Sequence, residues 1–440
     1  MLGDAGWRPR SWRARRRFER LSTAVLMCPS EPPAGLVFEL VVRRACAGGG
    51  DVGDSVAVSP DGTLVAAIGQ VWGVGVSAHL WNLPDATREK KLTGPGLWAL
   101  SITPDGKFLL GAGDDDTVRV WELPTGRHMA TLPCPGARCL AVSPDSRFFV
   151  AGARDGVRMW ELPDLSPRPT LTVSGPGVQD LAMRSDGRLL AGAVGDLHLN
   201  SRGYVQIWHL PAGKPGPRID IHQRHIRPIT FVSDTLLAGS CTTDGRLRLW
   251  RADTGELDAE LGRTTSGFGW NLTYDPAGTL IVAAGMLGYT THVWDAATKR
   301  LVGEGKGSVE PFSLAVAPDT SFVVTGGRYG SVEWRALPSA NPGRGHLLSA
   351  PAADSSPQEM SVVHSLAVTP DSSIVVAKKV GSIDIYRSVL RRLATTSASS
   401  YDASDRTALD ELVKHAPDSP LSEQSWIRFV KLLAQEHPRA

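Results

Sequence analysis

One phrase recurs along this chain and limits its fold more than any other feature. It is an alternating apolar run, a Pro-Asp step or near relative, and a second apolar run. It reads SVAVSPDGTLVAAIG from Ser55, ALSITPDGKFLLGAG from Ala99, CLAVSPDSRFFVAGA from Cys139 and DLAMRSDGRLLAGAV from Asp180. PITFVSDTLLAGS from Pro228 is a shortened copy. NLTYDPAGTLIVAAG from Asn271, SLAVAPDTSFVVTGG from Ser313 and SLAVTPDSSIVVAKK from Ser365 bring the set to eight. Self-similarity at a fixed spacing is the mark of a repeat architecture, in which each unit buries its faces against the next.

Each copy is followed by an aromatic near the end of a third run: Trp81, Trp121, Trp160, Trp208, Trp250, Trp294, Trp334 and finally Tyr386. After most of these come a turn such as ELPTG, NLPDA, HLPAG or RADTG and a fourth short run. The unit averages about 45 residues, the length of a four-stranded propeller blade. Helical solenoids overlap that period, but alternation with period two and Gly/Pro/Asp-rich turns exclude them. In the first strands, bulky residues (Val56 and Val58, Leu100 and Ile102, Leu140 and Val142, Leu314 and Val316) alternate with small ones (Ala57, Ser101, Ala141, Ala315). Large residues on one face and small on the other let neighbouring sheets nest. The second strands, such as LVAAIG and FFVAGA, are almost wholly apolar, as strands covered on both faces are. The Pro-Asp-Gly step supplies the fixed φ and the reversal between them. The predicted fold class is all-β: a single β-propeller of about eight four-stranded blades, with seven as the alternative, and a short helical C-terminal tail.

The units resemble WD-repeat β-propellers over about 80% of the chain, by the Pro-Asp-Gly and Trp elements and by DDDTVRVWE at Asp114, ARDGVRMWE at Ala153 and TTDGRLRLWR at Thr242. One departure is clear. The Gly-His dipeptide of that family is absent before the first strands, where Gly94-Pro95-Gly96, Pro135-Gly136 and Gly175-Pro176-Gly177 stand instead. The family's His–Asp–Ser/Thr–Trp network is therefore incomplete, leaving Asp116, Asp155 and Asp244 to brace their turns. The resemblance implies closure by a strand borrowed from the opposite terminus. The run LVFELVVRR, Leu36 to Arg44, has no unit of its own and is expected as the outer strand of the last blade, beside Ile383 to Tyr386.

Three segments follow: a basic, disordered extension at 1–35, the propeller at 36–392, and a linker with helices at 393–440. The first twenty residues hold seven arginines against Asp4 and Glu19. A solvated extension is the plainer reading of this arm; a contact with nucleic acid or lipid is the sharper one. Residues 337–360 read as a long Pro/Ser/Ala-rich loop, and DLHLNSRGY from Asp196 as a smaller insertion. In the tail, SPLSEQSWIRFVKLLAQEH offers an N-cap serine and an apolar stripe of Trp426, Phe429, Val430 and Leu433. That stripe suits docking on the propeller or on a partner. The segment PLSEQSWIRFVKLL is similar to the tail of bacterial WD-repeat proteins that carry a NACHT-type NTPase. No G-x-x-x-x-G-K-[ST] loop is present, so no NTPase activity is carried over.

A net charge of +2 gives the whole molecule no strong field for nucleic acid or membrane. No apolar run is long enough to span a bilayer. Five cysteines without framework spacing read as reduced thiols, hence a cytoplasmic protein. Neither Cys134 and Cys139 nor His222 and His225 have the further ligands of a zinc site at zinc spacing. There is no G-x-S-x-G elbow and no H-E-x-x-H. No cofactor, metal or catalytic residue is expected. The residues opening the inner strands are Asp54, Trp98, Arg138, Gln179, Arg227, Trp270, Phe312 and His364. One Asp and one His make no metal ring. Two Trp, one Phe and two Arg match the make-up of protein-binding hot spots. Trp98, Arg138, Arg227, Trp270 and Phe312 are therefore the expected binding patch, with plugging of the channel or packing between blades as the rival role. The expected function is a non-catalytic protein–protein interaction scaffold. The alternatives are a propeller hydrolase or oxidoreductase with a site at the central channel, and a purely structural spacer.

Overall fold

The computed structural model describes residues 38–45, 55–68, 76–83, 86–94, 96–195, 203–221, 226–241, 246–263, 270–285, 290–306, 310–320, 322–327, 332–337, 363–372, 374–379 and 382–388. The first 35 residues, most of 337–360, residues 196–202 and the tail stripe of Trp426, Phe429, Val430 and Leu433 lie outside them, as do His222, His225 and Asp244.

The described residues form eight antiparallel sheets, seven of four strands and one of three. Within the first seven sheets the strands follow chain order, as hairpins joined by short turns require. The second sheet is typical: Leu97–Ile102, Phe108–Gly113, Thr117–Glu122 and Arg127–Pro133, counted from inside to outside. The second strands are buried along their whole length, as at Leu64–Ile68 and Phe148–Gly152. Outer strands such as Arg127–Pro133 are mostly exposed.

The sheets close into a ring. Each innermost strand packs on the next, and that of the eighth sheet, Val363–Val368, packs on that of the first, Val56–Val58. The Val56 N–H donates to Ser365 Oγ at 3.3 Å across this last interface. Among the described residues each pair of adjacent sheets shares a hydrophobic core cluster. The cluster of Val56, Val65, Ala67, Trp81 and Ala86 with Ile383 and Ile385 joins the two ends of the ring. Closure is reinforced by the first strand of the chain, Phe38–Ala45, which pairs antiparallel with Ser382–Ser388 as the outer strand of the eighth sheet. It extends one residue past Arg44, and its partner is somewhat longer than Ile383 to Tyr386. A closed ring with a borrowed outer strand removes the open edges of a linear array.

The repeated tryptophans form the seams between sheets. Trp81, Trp121, Trp160, Trp208, Trp250 and Trp294 are all buried. Trp121, for example, packs with Leu64, Ala66 and Leu92 of the first sheet. In each of these six sheets the tryptophan faces the same ladder position, such as Leu109 for Trp121 and Leu190 for Trp208. Two residues along the second strand lies Gly111, Gly192 or Gly239, where a Cβ would meet the indole Cζ3 at 2.9, 2.8 and 3.0 Å respectively. In these three sheets the aromatic ring is laid on bare backbone.

The seventh sheet departs from this pattern. There Arg335 holds the ladder position opposite Val323, and Trp334 pairs with Val324, one place out of step. The tryptophan of this sheet therefore stands one ladder place away from the position it holds in the other six. Among the described residues the adjoining core cluster holds Leu280, Val282, Val293, Val323 and Leu337.

Candidate functional site

The antiparallel register puts the start of every inner strand at one end of the ring, together with the turns that join second to third strands. The Pro-Asp turns lie at the other end. These turns are self-braced: Thr103 Oγ1 donates to Asp105 Oδ1 at 2.6 Å and accepts from the Phe108 N–H at 3.0 Å. Ser143 Oγ accepts from the Phe148 N–H in the same way at 3.0 Å. Asp61 accepts from the Thr63 N–H at 3.0 Å and from the Ser59 hydroxyl. The Ser59 hydroxyl bond, with those from Thr63, holds the Asp61 carboxyl below its usual pKa against the smaller effect of burial. For Asp105 burial pushes the other way most strongly, and the bonds from Thr103 and Lys107 together outweigh it. The turn carboxylates are thus committed to structure.

At the opposite end, the mouth, the inner strands share an irregularity. The ladder skips a residue between Leu97 and Ala99, between Val178 and Asp180, between Pro311 and Ser313, and between Val363 and Ser365. Between Ile226 and Ile229 it skips two. The residues left out of the pairing are Trp98, Gln179, Phe312 and His364, with Arg227 and Pro228 in the fifth sheet. A bulge of this kind releases one residue from the ladder and re-aims its side chain. Trp98 shows the result, being 36% exposed while its neighbour Leu97 is 1% exposed.

Of the five residues expected as a patch, the structure brings two into contact. The Arg138 guanidinium lies over the Trp98 ring, 5.7 Å from its centroid. Arg138 Nη1 also donates to Gln179 Oε1 at 3.4 Å. Three successive sheets are thus bridged at the mouth. Gln179 opens its strand in the same way as the others but was not among the five patch residues. Phe312 is half-buried at its bulge. Arg227 and Trp270 lie in described strands, but their side chains are outside the description, as is Asp54.

The loop that presents Arg138 is tied down on both sides. The Cys134 N–H donates to the Asp116 carbonyl at 2.7 Å, and the Arg154 N–H to the Pro135 carbonyl at 2.9 Å. Asp116 does not brace its own turn; its carboxylate accepts the Gly136 N–H at 2.7 Å, reaching into the next sheet. Gly136 has φ +73, and a Cβ there would strike Arg154 Cγ. Asp155 pairs with Arg158 at 2.9 Å. Asp115, which the sequence reading passed over, binds Arg119 through both carboxylate oxygens. Cys134 and Cys139 are buried and not joined in a disulfide, and burial pushes the Cys134 thiol up to about 12.

Among the described residues no three His, Cys, Asp or Glu stand together as metal ligands. A cavity of about 230 Å³ lies at the outer edge, not at the mouth, between the third and fourth sheets. It is lined by Arg168, Leu171, Trp208 and Pro211 among others. Among the described residues no helix is long and apolar enough to cross a membrane.

Fold and mouth together define a closed β-propeller with an irregular, partly aromatic end. Residues 87–122 and 126–161 match the family model of the WD domain, G-beta repeat. The matched spans run from the outer strand of the first sheet through the third strand of the third, and the fold fits a WD-repeat propeller. Among solved structures it is similar to the computationally designed Ika8 protein, with a TM-score of 0.57 at 18% identity over 78% of this chain and 99% of that one. It is also similar to the hydrazine synthase of Kuenenia stuttgartiensis, with a TM-score of 0.53 at 14% identity over 67% and 98%. At these identities the likeness is one of fold alone. No curated protein matches the chain.

Proposed function

We propose that this protein is a non-catalytic platform that binds another protein at the mouth of its ring. The observation that carries the proposal is the repeated bulge. Irregular pairing recurs at the same place in five inner strands, and at Trp98 it exposes a large aromatic beside buried leucine. Aromatic and arginine side chains held on a rigid support are the usual anchors of protein interfaces. Trp98, Arg138 and Phe312 are the described members of the patch, with Arg227 and Trp270 assigned by their place at the strand starts. The tail stripe of Trp426, Phe429, Val430 and Leu433 serves as a second contact, on the propeller or on the partner. A cytoplasmic setting suits a chain in which neither described cysteine, Cys134 or Cys139, is in a disulfide.

The enzyme reading draws on the hydrazine synthase, whose resemblance at 14% identity supports a shared fold and no more. The platform reading is tested by co-purification of the full chain from its own cells. The Trp98→Ala/Arg138→Ala variant is expected to lose proteins that the parent retains, with its melting temperature within a few degrees of the parent. Identical co-purifying sets from the two proteins would reject the mouth as the binding surface.

A further inference from the structure

We infer that the mouth recognises an acidic segment of its partner, with Arg138 receiving a carboxylate and Trp98 the apolar group beside it. The inference rests on the platform reading and adds the chemistry of what is bound. Among the described residues, three other guanidinium groups near this end of the ring are matched to carboxylates. Arg119 binds Asp115 at 2.6 Å, Arg158 binds Asp155 at 2.9 Å, and Arg154 lies 3.6 Å from Asp116. Arg138 is handled differently. Its neighbours are an aromatic ring and an amide oxygen, and among the described residues no carboxylate lies within ion-pairing distance of it. The carboxylate next along the neighbouring strand, Asp180, accepts the N–H groups of Leu181 and Ile229, both at 2.9 Å.

A guanidinium held over an indole by one face keeps a planar fork of donors, and a planar carboxylate meets two of them side by side. The Gln179 contact is long at 3.4 Å and neutral, so it orients the group without satisfying its charge. The loop beneath is fixed by the bonds of Cys134, Gly136 and Arg154, so little ordering remains when a ligand arrives. An exposed indole face beside a fixed cation suits a peptide in which Asp or Glu adjoins a Leu- or Phe-sized side chain. A phosphate backbone or an anionic membrane would instead call for several clustered cations, and here the neighbouring arginines are already paired.

The test uses the full-length protein and two matched arrays of acetylated, amidated nonapeptides with a central glutamate or a central glutamine and randomised flanks. The best sequences are then measured by fluorescence anisotropy. Glutamate peptides are expected to bind at least tenfold more tightly than their glutamine counterparts, with apolar residues enriched next to the acid. Arg138→Gln and Trp98→Ala are each expected to weaken binding at least tenfold, with Arg138→Lys intermediate because it keeps the charge and loses the two-donor fork. Each variant is compared by its melting curve, which is expected to stay within a few degrees of the parent. Peptides that depend on Trp98 but bind equally with glutamine, or equally to Arg138→Gln, would overturn the carboxylate inference and leave the platform standing. Failure to recover any peptide sensitive to Trp98 or Arg138 would overturn both. Tighter Arg138-dependent binding to a 20-base-pair DNA or to phosphatidylserine vesicles would replace the peptide by another anion and overturn the partner class.

Discussion

Replacing Trp121 by alanine should damage this molecule far more than replacing Trp98, although both are tryptophans of the second sheet. Trp121 is 1% exposed and fills the seam between the first and second sheets, among Leu64, Leu80, Leu92 and Leu109. Its ring lies against the bare backbone of Gly111, which has no side chain to move into the space. Burial of a tryptophan removes about 200 Å² from water, worth about 5 kcal/mol at about 25 cal/mol per Å². Measured tryptophan truncations in cores cost about 3–5 kcal/mol, and the stiff β-ladders on either side place Trp121→Ala at the upper end. Trp98 stands outside the ladder, partly in solvent, and supports Arg138. Its removal forfeits some packing and a cation–π contact of about 0.5–1 kcal/mol, in all about 1–2 kcal/mol. Urea unfolding of the parent and both variants, followed by far-UV circular dichroism, measures the difference. Equal shifts in midpoint for the two variants would refute the assignment of one ring to the seam and the other to the mouth.

The remaining expectations concern the seams, the turns and the closure. Gly192→Val should destabilise by about 1–3 kcal/mol, because its Cβ would lie 2.8 Å from Trp208 Cζ3; an unchanged melting curve would contradict the packing described. Thr103→Val keeps the shape but strips the acceptor of the Phe108 N–H, at a cost of about 1–3 kcal/mol by urea titration. The carboxyls of Asp61 and Asp105 have folded pKa values below the ordinary 3.8. Their contribution to stability is therefore complete above about pH 4 and lost as the pH falls through the folded values, and Asp105→Asn should flatten that part of the pH–stability curve. Deleting residues 1–45 removes the outer strand of the eighth sheet and should lower the melting temperature and broaden the transition, whereas an unaltered transition would show that the ring closes without it.

Much of this architecture is written in the sequence because its cause is local. Alternation in runs such as LAVSPD and the unbroken apolar second strands specify a face or a depth residue by residue, so both are visible without coordinates. The closing strand was legible for a different reason: LVFELVVRR is an apolar run left without a unit. What the sequence reading missed depends on register. Trp334 looks like the other seam tryptophans, but pairing sets it one place out of step. A signal was present, since the proline after the tryptophan stands three residues on at Pro84, Pro124, Pro163 and Pro211, and four residues on at Pro338. The bulges at the mouth were hidden for the same reason, because an extra residue in one strand is defined only against its partner. Trp98 and Arg138 were legible as candidates by their place before the inner strands. Their contact, and the part of Gln179 in holding Arg138, required the three sheets to be set side by side.

The account stands or falls on which surface a partner covers. Hydroxyl-radical footprinting of the full-length protein, alone and in the complexes purified from its own cells, reads this directly. Trp98 should react in the free protein and be protected in the complex, while Met129, Leu257 and Leu301, exposed on the outer strands of the second, fifth and sixth sheets, should react equally in both. Protection of those three with Trp98 left reactive would place the partner on the outer edge and contradict the claim.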